Sequence, residues 1–292
     1  MKKILVIGAS GSLGQKICQS LISFFEEDVH LYIGDYKEER GKLIAAKYKR
    51  ANHVSADVHS EESIQKAISG DIDCVVVAVN QKKPIVQLQC SIKGIPCVDV
   101  TGSAEFSKQT ESSLPKNCAV SVCMVGMFPG LSGVLVKESL NHLTSAAQIS
   151  VALLQSVNAT VGVTGVVDML HVLSSGSKEF KNKKKFLIGG KNYTLREIRY
   201  DESDILQSKL QLSLITYWTG WRYKMFTSLM FFVARYKLCT TLITQLIKRL
   251  HLKRLGLNHP KISEKVALSI EAVEDKEQHS CKKVIQLEAY SD

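Results

Sequence analysis

The sequence predicts an α/β protein: a doubly wound parallel sheet in residues 1–126, then a second domain of α+β type in residues 127–292. Three observations carry this expectation. Short β-branched runs alternate with segments of helical period through roughly the first 125 residues. The links between them are short, and strands joined through helices in this way lie parallel. After Gly126 the alternation stops, and longer helical and paired-strand patterns replace it.

The elements follow in order. KILVIG (3–8) reads as a buried parallel strand, a β-branched run closed by glycine. The next segment places Leu13, Ile17, Leu21 and Phe24 at helical spacing on one expected face. VHLYIGD (29–35) is a second strand, and KEERGKLIAAKY (37–48) a helix weakened by Gly41. HVSADV (53–58) is a third strand. SEESIQKAI (60–68) opens with Ser60 and two acids, a favourable helix start. DCVVVAVN (73–80) is the clearest strand. The helix after it has Pro84 near its start and Gly94 past its end. IPCVDVTG (95–102) and CAVSVCMVG (118–126) complete six strands.

In the second half, MFPGLSGVLVKESLNHL reads as a turn and a helix, QISVALL (148–154) as a strand and GVTGVVDMLHVLSS (162–175) as a helix. A basic loop at 178–185 precedes KFLIGGKNYTLREI, a hairpin around Gly189 and Gly190. Long helices are expected over 213–250. VALSIEAV (266–273) and KVIQLEAY (283–290) are two strands, the first with Val266, Leu268, Ile270 and Ala272 on one apolar face.

The formal net charge of +10 is localised. Between Ile205 and Ser263 there is no Asp or Glu, while ten basic residues occur: Lys209, Arg222, Lys224, Arg235, Lys237, Lys248, Arg249, Lys253, Arg254 and Lys261. Segment 213–255 is apolar, aromatic and basic at once, yet its uncharged runs are too short to span a bilayer. Two uses stay open for it. It can form helices of a soluble domain whose Lys and Arg stems lie along the core edge. It can also meet a membrane peripherally, through anionic lipid on its basic side. A dimer contact is a third use, whereas no nucleic-acid-binding module is recognisable. The eight cysteines include no C-x-x-C pair, so no metal site is expected. The first apolar run is too short for a signal peptide, which makes the cytoplasm the expected compartment.

GASGSLG (8–14) spaces its glycines as G-x-x-G-x-x-G. Such spacing also serves a plain strand-to-helix turn. Here it directly follows the first strand and opens a helix whose N-terminal N–H groups can receive a pyrophosphate. An acid, Asp35, ends the second strand 21 residues beyond Gly14, where a ribose-binding carboxylate is expected. Gly8, Ser10, Gly11, Ser12, Leu13 and Gly14 are therefore candidate cofactor contacts. Asp35 favours NAD, because it accepts ribose hydroxyls and repels a 2′-phosphate; nearby Lys37 and Arg40 keep NADP open. Ligands of open α/β sheets lie over the carboxyl ends of the strands. That adds Asp57 and Val58 near the adenine, Ala78, Val79 and Asn80 near the pyrophosphate and nicotinamide ribose, and Thr101 and Gly102 further along.

DCVVVAVNQKKPIVQLQCSIKGIPCVDVTG (73–102) and GMFPGLSGVLV (126–136) resemble the saccharopine dehydrogenase-like NAD(P)-binding family, whose N-terminal part is a Rossmann domain. The resemblance covers residues 1–136; beyond them only TGVVDMLHVLS and the closing hairpin share it. It implies a nicotinamide-dependent oxidoreductase acting on a small amine, imine or carbonyl substrate, with the second domain serving substrate binding and homodimerisation. Family members often return from the second domain to the Rossmann region. Here LEAYSD follows closely on a strand, and that return is expected to be short or absent. A non-catalytic, dinucleotide-binding role is the alternative.

Hydride transfer needs orientation and charge management from the protein. Asp99, Lys82 and Lys83 lie near the correct sheet edge, and Asp99 is the candidate acid or base, with a buried structural carboxylate as the other reading. His171, on the apolar face DMLHVL, is expected to be packed or capped. Short-chain reductase chemistry needs a Tyr followed four residues later by Lys, and no tyrosine of this chain has that neighbour.

Overall fold

The computed structural model describes residues 1–141, 143, 148–157, 163–176, 182–236, 245, 265–276 and 279–290. The chain divides into two compact units, Met1–Gly126 and Met127–Asp292.

The first unit is a six-stranded sheet of β1 (Lys2–Ile7), β2 (Val29–Asp35), β3 (Ala51–Ser55), β4 (Cys74–Val77), β5 (Cys97–Asp99) and β6 (Ser121–Val122). Its order is β3-β2-β1-β4-β5-β6, with every pairing parallel. The winding reverses between β1 and β4, which opens a crevice at their carboxyl ends. Helices α1 (Ser12–Phe25), α2 (Glu38–Ala45), α3 (Glu61–Ala67), α4 (Ile85–Ile92) and α5 (Ala104–Ser113) make the connections. β1 explains why the strands read as unbroken apolar runs. Its Ile4 and Val6 enter one core with Leu31, Ile33 and Cys18, while Leu5 and Ile7 enter the other with Ile64, Val75 and Val86. Each such fully buried aliphatic side chain contributes roughly 1.5–3 kcal/mol.

Several boundaries differ from expectation. On α1, Leu13 and Phe24 are exposed, and the inner row is Gly14 and Cys18 with Ile17, Leu21, Ile22 and Phe25. The small Gly14 and Cys18 let the helix lie close to the sheet. Gly41 stands inside α2 because the His53 ring of β3 occupies the place of its side chain; a Cβ there would lie 2.0 Å from that ring. The third strand starts at Ala51, two residues earlier than expected, and ends at Ser55, three residues short. β4, β5 and β6 also stop short of their expected ends, since the chain leaves the sheet where the crevice opens. α5 has no strong apolar period in the sequence. It rests on its cap, with the Ser103 Oγ accepting the Phe106 N–H at 3.2 Å.

The second unit holds a mixed sheet of β7 (Gln148–Gln155), β8 (Lys183–Ile188), β9 (Lys191–Ile198), β10 (Leu214–Trp221), β11 (Lys265–Lys276) and β12 (His279–Tyr290), ordered β12-β11-β7-β10-β9-β8. Only the β7–β10 pairing is parallel. Helices α6 (Leu131–Ser139), α7 (Val163–Gly176), α8 (Glu202–Leu210) and α9 (Lys224–Arg235) belong to it. One sheet face packs with residues of α6, α7 and α9 around Tyr217, Ile149, Ile270 and Phe231. The other buries Leu154, Phe186, Leu195, Trp218 and Ala267 together. That face is closed by curling: Gln286 of β12 donates to the Leu187 carbonyl of β8, and Lys184 of β8 pairs with Glu271 of β11 at 3.0 Å.

Curling also explains why β10 departs from the expected helix and why β11 has a second buried face. β10 lies within the expected helical segment 213–250, because a strand buried on both faces loses its alternation and reads like a helix. β11 is likewise buried on both sides, with Leu268, Ile270 and Ala272 in one core and Ala267 in the other. The expected basic loop overlaps β8, which takes up Lys183–Lys185. Much of segment 237–255 lies outside the described residues. No helix among the described residues is long and apolar enough to cross a membrane.

Candidate functional site

β1 ends at Ile7, and Gly8 turns the chain with φ +82°, its N–H bonded to the Gly34 carbonyl at 2.9 Å. The turn closes when the Gly11 N–H donates to the Gly8 carbonyl at 3.0 Å. α1 then packs so tightly on the loop that a Cβ on Gly14 would lie 2.2 Å from the Gly8 oxygen. Gly11 caps the helix with no side-chain acceptor, and no acid stands in its first turn. The first helical bond is from Gln15 N–H to Gly11 at 3.0 Å. The N–H groups of Ser12, Leu13 and Gly14 thus begin the helix uncapped, at the positive end of its dipole. A bare cradle of this kind suits an anion such as a diphosphate.

Beside it opens a cleft of about 280 Å³. Ile7, Gly8 and Val79 line it from β1 and β4, Asp35, Tyr36 and Arg40 from the β2 end, and Ala56, Asp57, Val58 and His59 from the β3 end. Asp35 is buried and fully engaged. Its Oδ1 accepts the Lys37 N–H at 2.8 Å and Arg40 Nη2 at 2.7 Å. Its Oδ2 accepts Arg40 Nε at 2.9 Å and the Ser10 hydroxyl. Burial alone would push the Asp35 carboxyl up; the bonds from Arg40, Ser10 and the Lys37 N–H outweigh it and hold the group below the usual carboxylate range. The same pairing raises Arg40. The Arg40 guanidinium also lies 5.2 Å from the centroid of the Tyr36 ring. Asp57 fixes the adjoining turn, its Oδ1 accepting the His59 N–H at 2.9 Å. The cleft therefore offers a flat cationic and aromatic wall, two carboxylates and a glycine floor, a fitting surface for an adenosine.

Of the residues singled out in the sequence, Gly8, Asp35, Asp57, Val58 and Val79 come together in this cleft. Ser10 joins them through Asp35, and Gly11, Ser12, Leu13 and Gly14 form the helix start. Ala78 lies beneath the loop, its N–H bonded to Ile7 at 2.8 Å. Asn80 and Gly102 are exposed beyond the ends of β4 and β5, while Thr101 is buried; none of the three lines the cleft. Lys82 and Lys83 are exposed.

Asp99, the candidate acid or base, has the surroundings of a buried, hydrogen-bonded carboxylate. It has no exposed surface, and its oxygens accept Gln81 Nε2 at 2.7 Å, Gln87 Nε2 at 2.5 Å and the Thr101 N–H at 2.6 Å. Burial raises this carboxyl above its ordinary value, against the lowering effect of those donors. It ties the β5 end to α4 and to the loop before it. His171, expected to be packed or capped, is exposed on α7, because the inner row of that helix is set by Leu170 and Leu173. Tyr36 and His59 are cleft residues that periodicity does not reveal. Their signal is position, directly after the ends of β2 and β3 at the ligand edge.

The model of the 3-beta hydroxysteroid dehydrogenase/isomerase family matches residues 5–105. No curated protein matches the chain in sequence. Among solved structures, apo saccharopine dehydrogenase (L-glutamate forming) from Saccharomyces cerevisiae is similar at a TM-score of 0.67 and 12% identity, over 99% of this chain and 86% of that one. C. glutamicum DAP dehydrogenase in complex with DAP gives 0.46 at 10% identity, over 98% and 82%. The WlbA dehydrogenase from Thermus thermophilus, in complex with NAD and UDP-GlcNAcA, gives 0.41 at 9%, over 97% and 83%. The chain has the saccharopine dehydrogenase-like fold, a Rossmann-type sheet followed by a mixed-sheet domain.

Proposed function

We propose that this chain is an NAD(P)-dependent oxidoreductase that transfers a hydride to or from an amine, imine or carbonyl substrate. The observation that carries the proposal is the uncapped, glycine-floored start of α1 beside the Asp35–Arg40 cleft. The solved relative of the same fold is a dehydrogenase, which supports the reaction class. The nicotinamide supplies or accepts the hydride when bound. The amides of Ser12, Leu13 and Gly14 hold the diphosphate, and Asp57, Val58 and Tyr36 enclose the adenosine.

Nucleotide choice rests on Arg40. Asp35 favours NAD by accepting ribose hydroxyls, and its four bonds set those hydroxyls in competition with Arg40 and Ser10. The Asp35–Arg40 pair is neutral, and Lys37 stands next to it. We therefore expect little discrimination between the two nucleotides, with NADPH bound through Arg40 and NADH through Asp35 once Arg40 swings aside. Titration with NADH and NADPH, read by nicotinamide fluorescence, tests this. Both should bind within about tenfold of each other, and Arg40→Ala should weaken NADPH by about tenfold while leaving NADH equal or tighter. Failure of both nucleotides to bind at millimolar concentration would refute the site. Turnover of pooled 2-oxo acids and amines then separates an enzyme from a non-catalytic nucleotide binder.

A further inference from the structure

Helix α9 has two apolar faces. One is turned inward: Thr227, Phe231 and Ala234 are buried, and Phe226 and Met230 pack on the same core. The other faces solvent. Met225 is 87% exposed, Phe232 59%, Leu229 55% and Tyr236, at its end, 48%. At about 100° per residue these four fall within roughly 60° of arc, a single stripe along the helix. The rings of Phe232 and Tyr236 meet edge to face at 5.0 Å. A solvated helix face is ordinarily polar, and a continuous apolar stripe on one marks a contact surface.

Charge says which surface covers it. Lys224 and Arg235 are exposed on the same flank of the stripe. No acid occurs in α9, nor anywhere between Ile205 and Ser263, where ten basic residues lie. A second copy of this face would bring the like charges of Lys224 and Arg235 together. An apolar layer under an anionic surface matches both features. We propose that α9 docks on an anionic lipid bilayer, with Met225, Leu229, Phe232 and Tyr236 in the boundary between headgroups and acyl chains and Lys224 and Arg235 against the headgroup phosphates. Twelve residues give a helix of about 18 Å, which lies along the interface and does not span it. The proposal does not depend on the nucleotide site.

Co-sedimentation of the full chain with vesicles of mixed phosphatidylglycerol and phosphatidylcholine, and with phosphatidylcholine alone, tests it. Binding is expected on the anionic vesicles only, and high salt should release it. Leu229→Ser with Phe232→Ser should lower partitioning at least tenfold, with an unchanged melting temperature because both side chains are exposed. Lys224→Glu with Arg235→Glu should lower it by more than about 25-fold, at roughly fivefold for each cation lost at the surface. The proposal is overturned by no binding to anionic vesicles at low salt, by equal binding to both vesicle types, or by binding that neither double variant changes. It is also overturned if the chain is a dimer without lipid that the Leu229 and Phe232 changes convert to a monomer.

Discussion

Asp35 and Arg40 show how one pair couples stability to ligand choice. A buried carboxylate is costly unless donors surround it, and here Arg40, Ser10 and the Lys37 N–H do so. Arg40→Ala removes two charge-assisted bonds; since its side chain is 46% exposed, solvent screens part of the pair, and a loss of roughly 1–2 kcal/mol is expected. The pH dependence has a definite sign. The folded-state value of Asp35 is lowered, so its contribution is complete above the ordinary carboxylate value and fades as pH falls through the folded one. The stability difference between wild type and Arg40→Ala, measured by urea unfolding, should therefore shrink as the pH falls from neutral through and below the ordinary carboxylate range. A difference that grows on acidification would contradict the assignment. Gly14→Ala forces a Cβ to within 2.2 Å of the Gly8 oxygen, where backbone must move. It should cost about 1–3 kcal/mol and weaken nucleotide binding together, whereas Leu13→Ala, at an exposed position, should leave stability within about 0.5 kcal/mol.

At the scale of elements, helix ends are held by specific groups more than by propensity. Glu202, at the start of α8, is buried and accepts the Gly130 N–H at 2.9 Å, the Ser132 hydroxyl at 2.5 Å and the Tyr217 hydroxyl at 2.8 Å. It thereby caps α6 from a distance and locks β10. Burial, reinforced by Glu202, raises the Tyr217 phenol far above its usual range, so it stays a donor. Glu202→Ala leaves three donors without an acceptor and should destabilise the chain by roughly 3–5 kcal/mol, as measured by denaturant unfolding. Such long-range bonds are invisible in the sequence, and α8 is not foreseen there. The same holds for β10, whose two buried faces erase the alternation that marks a strand. By contrast, β1, β2 and β4 and the capped α3 are legible, because each carries a strong local signal: a β-branched run or the Ser60 Oγ accepting the Ser63 N–H. In the site, the glycine loop and Asp35 are legible from spacing. The occupation of Asp35 by Arg40 is a tertiary fact, as is the sealing of Asp99.

For the whole molecule, the buried clusters fall within one unit or the other, and the described residues that line the cleft are in the first. A nucleotide that binds there stabilises the first unit by mass action, about 2.7 kcal/mol at a hundredfold excess over Kd. Calorimetry with saturating NADH should therefore raise the transition of the first unit. The central claim is that the start of α1 and the adjoining cleft hold a dinucleotide, and residue-resolved amide hydrogen exchange with and without NADH tests it most directly. Saturating NADH should slow exchange at Ser12, Leu13 and Gly14 and around Tyr36 and Asp57. Unchanged exchange at those amides, with protection arising elsewhere, would contradict it.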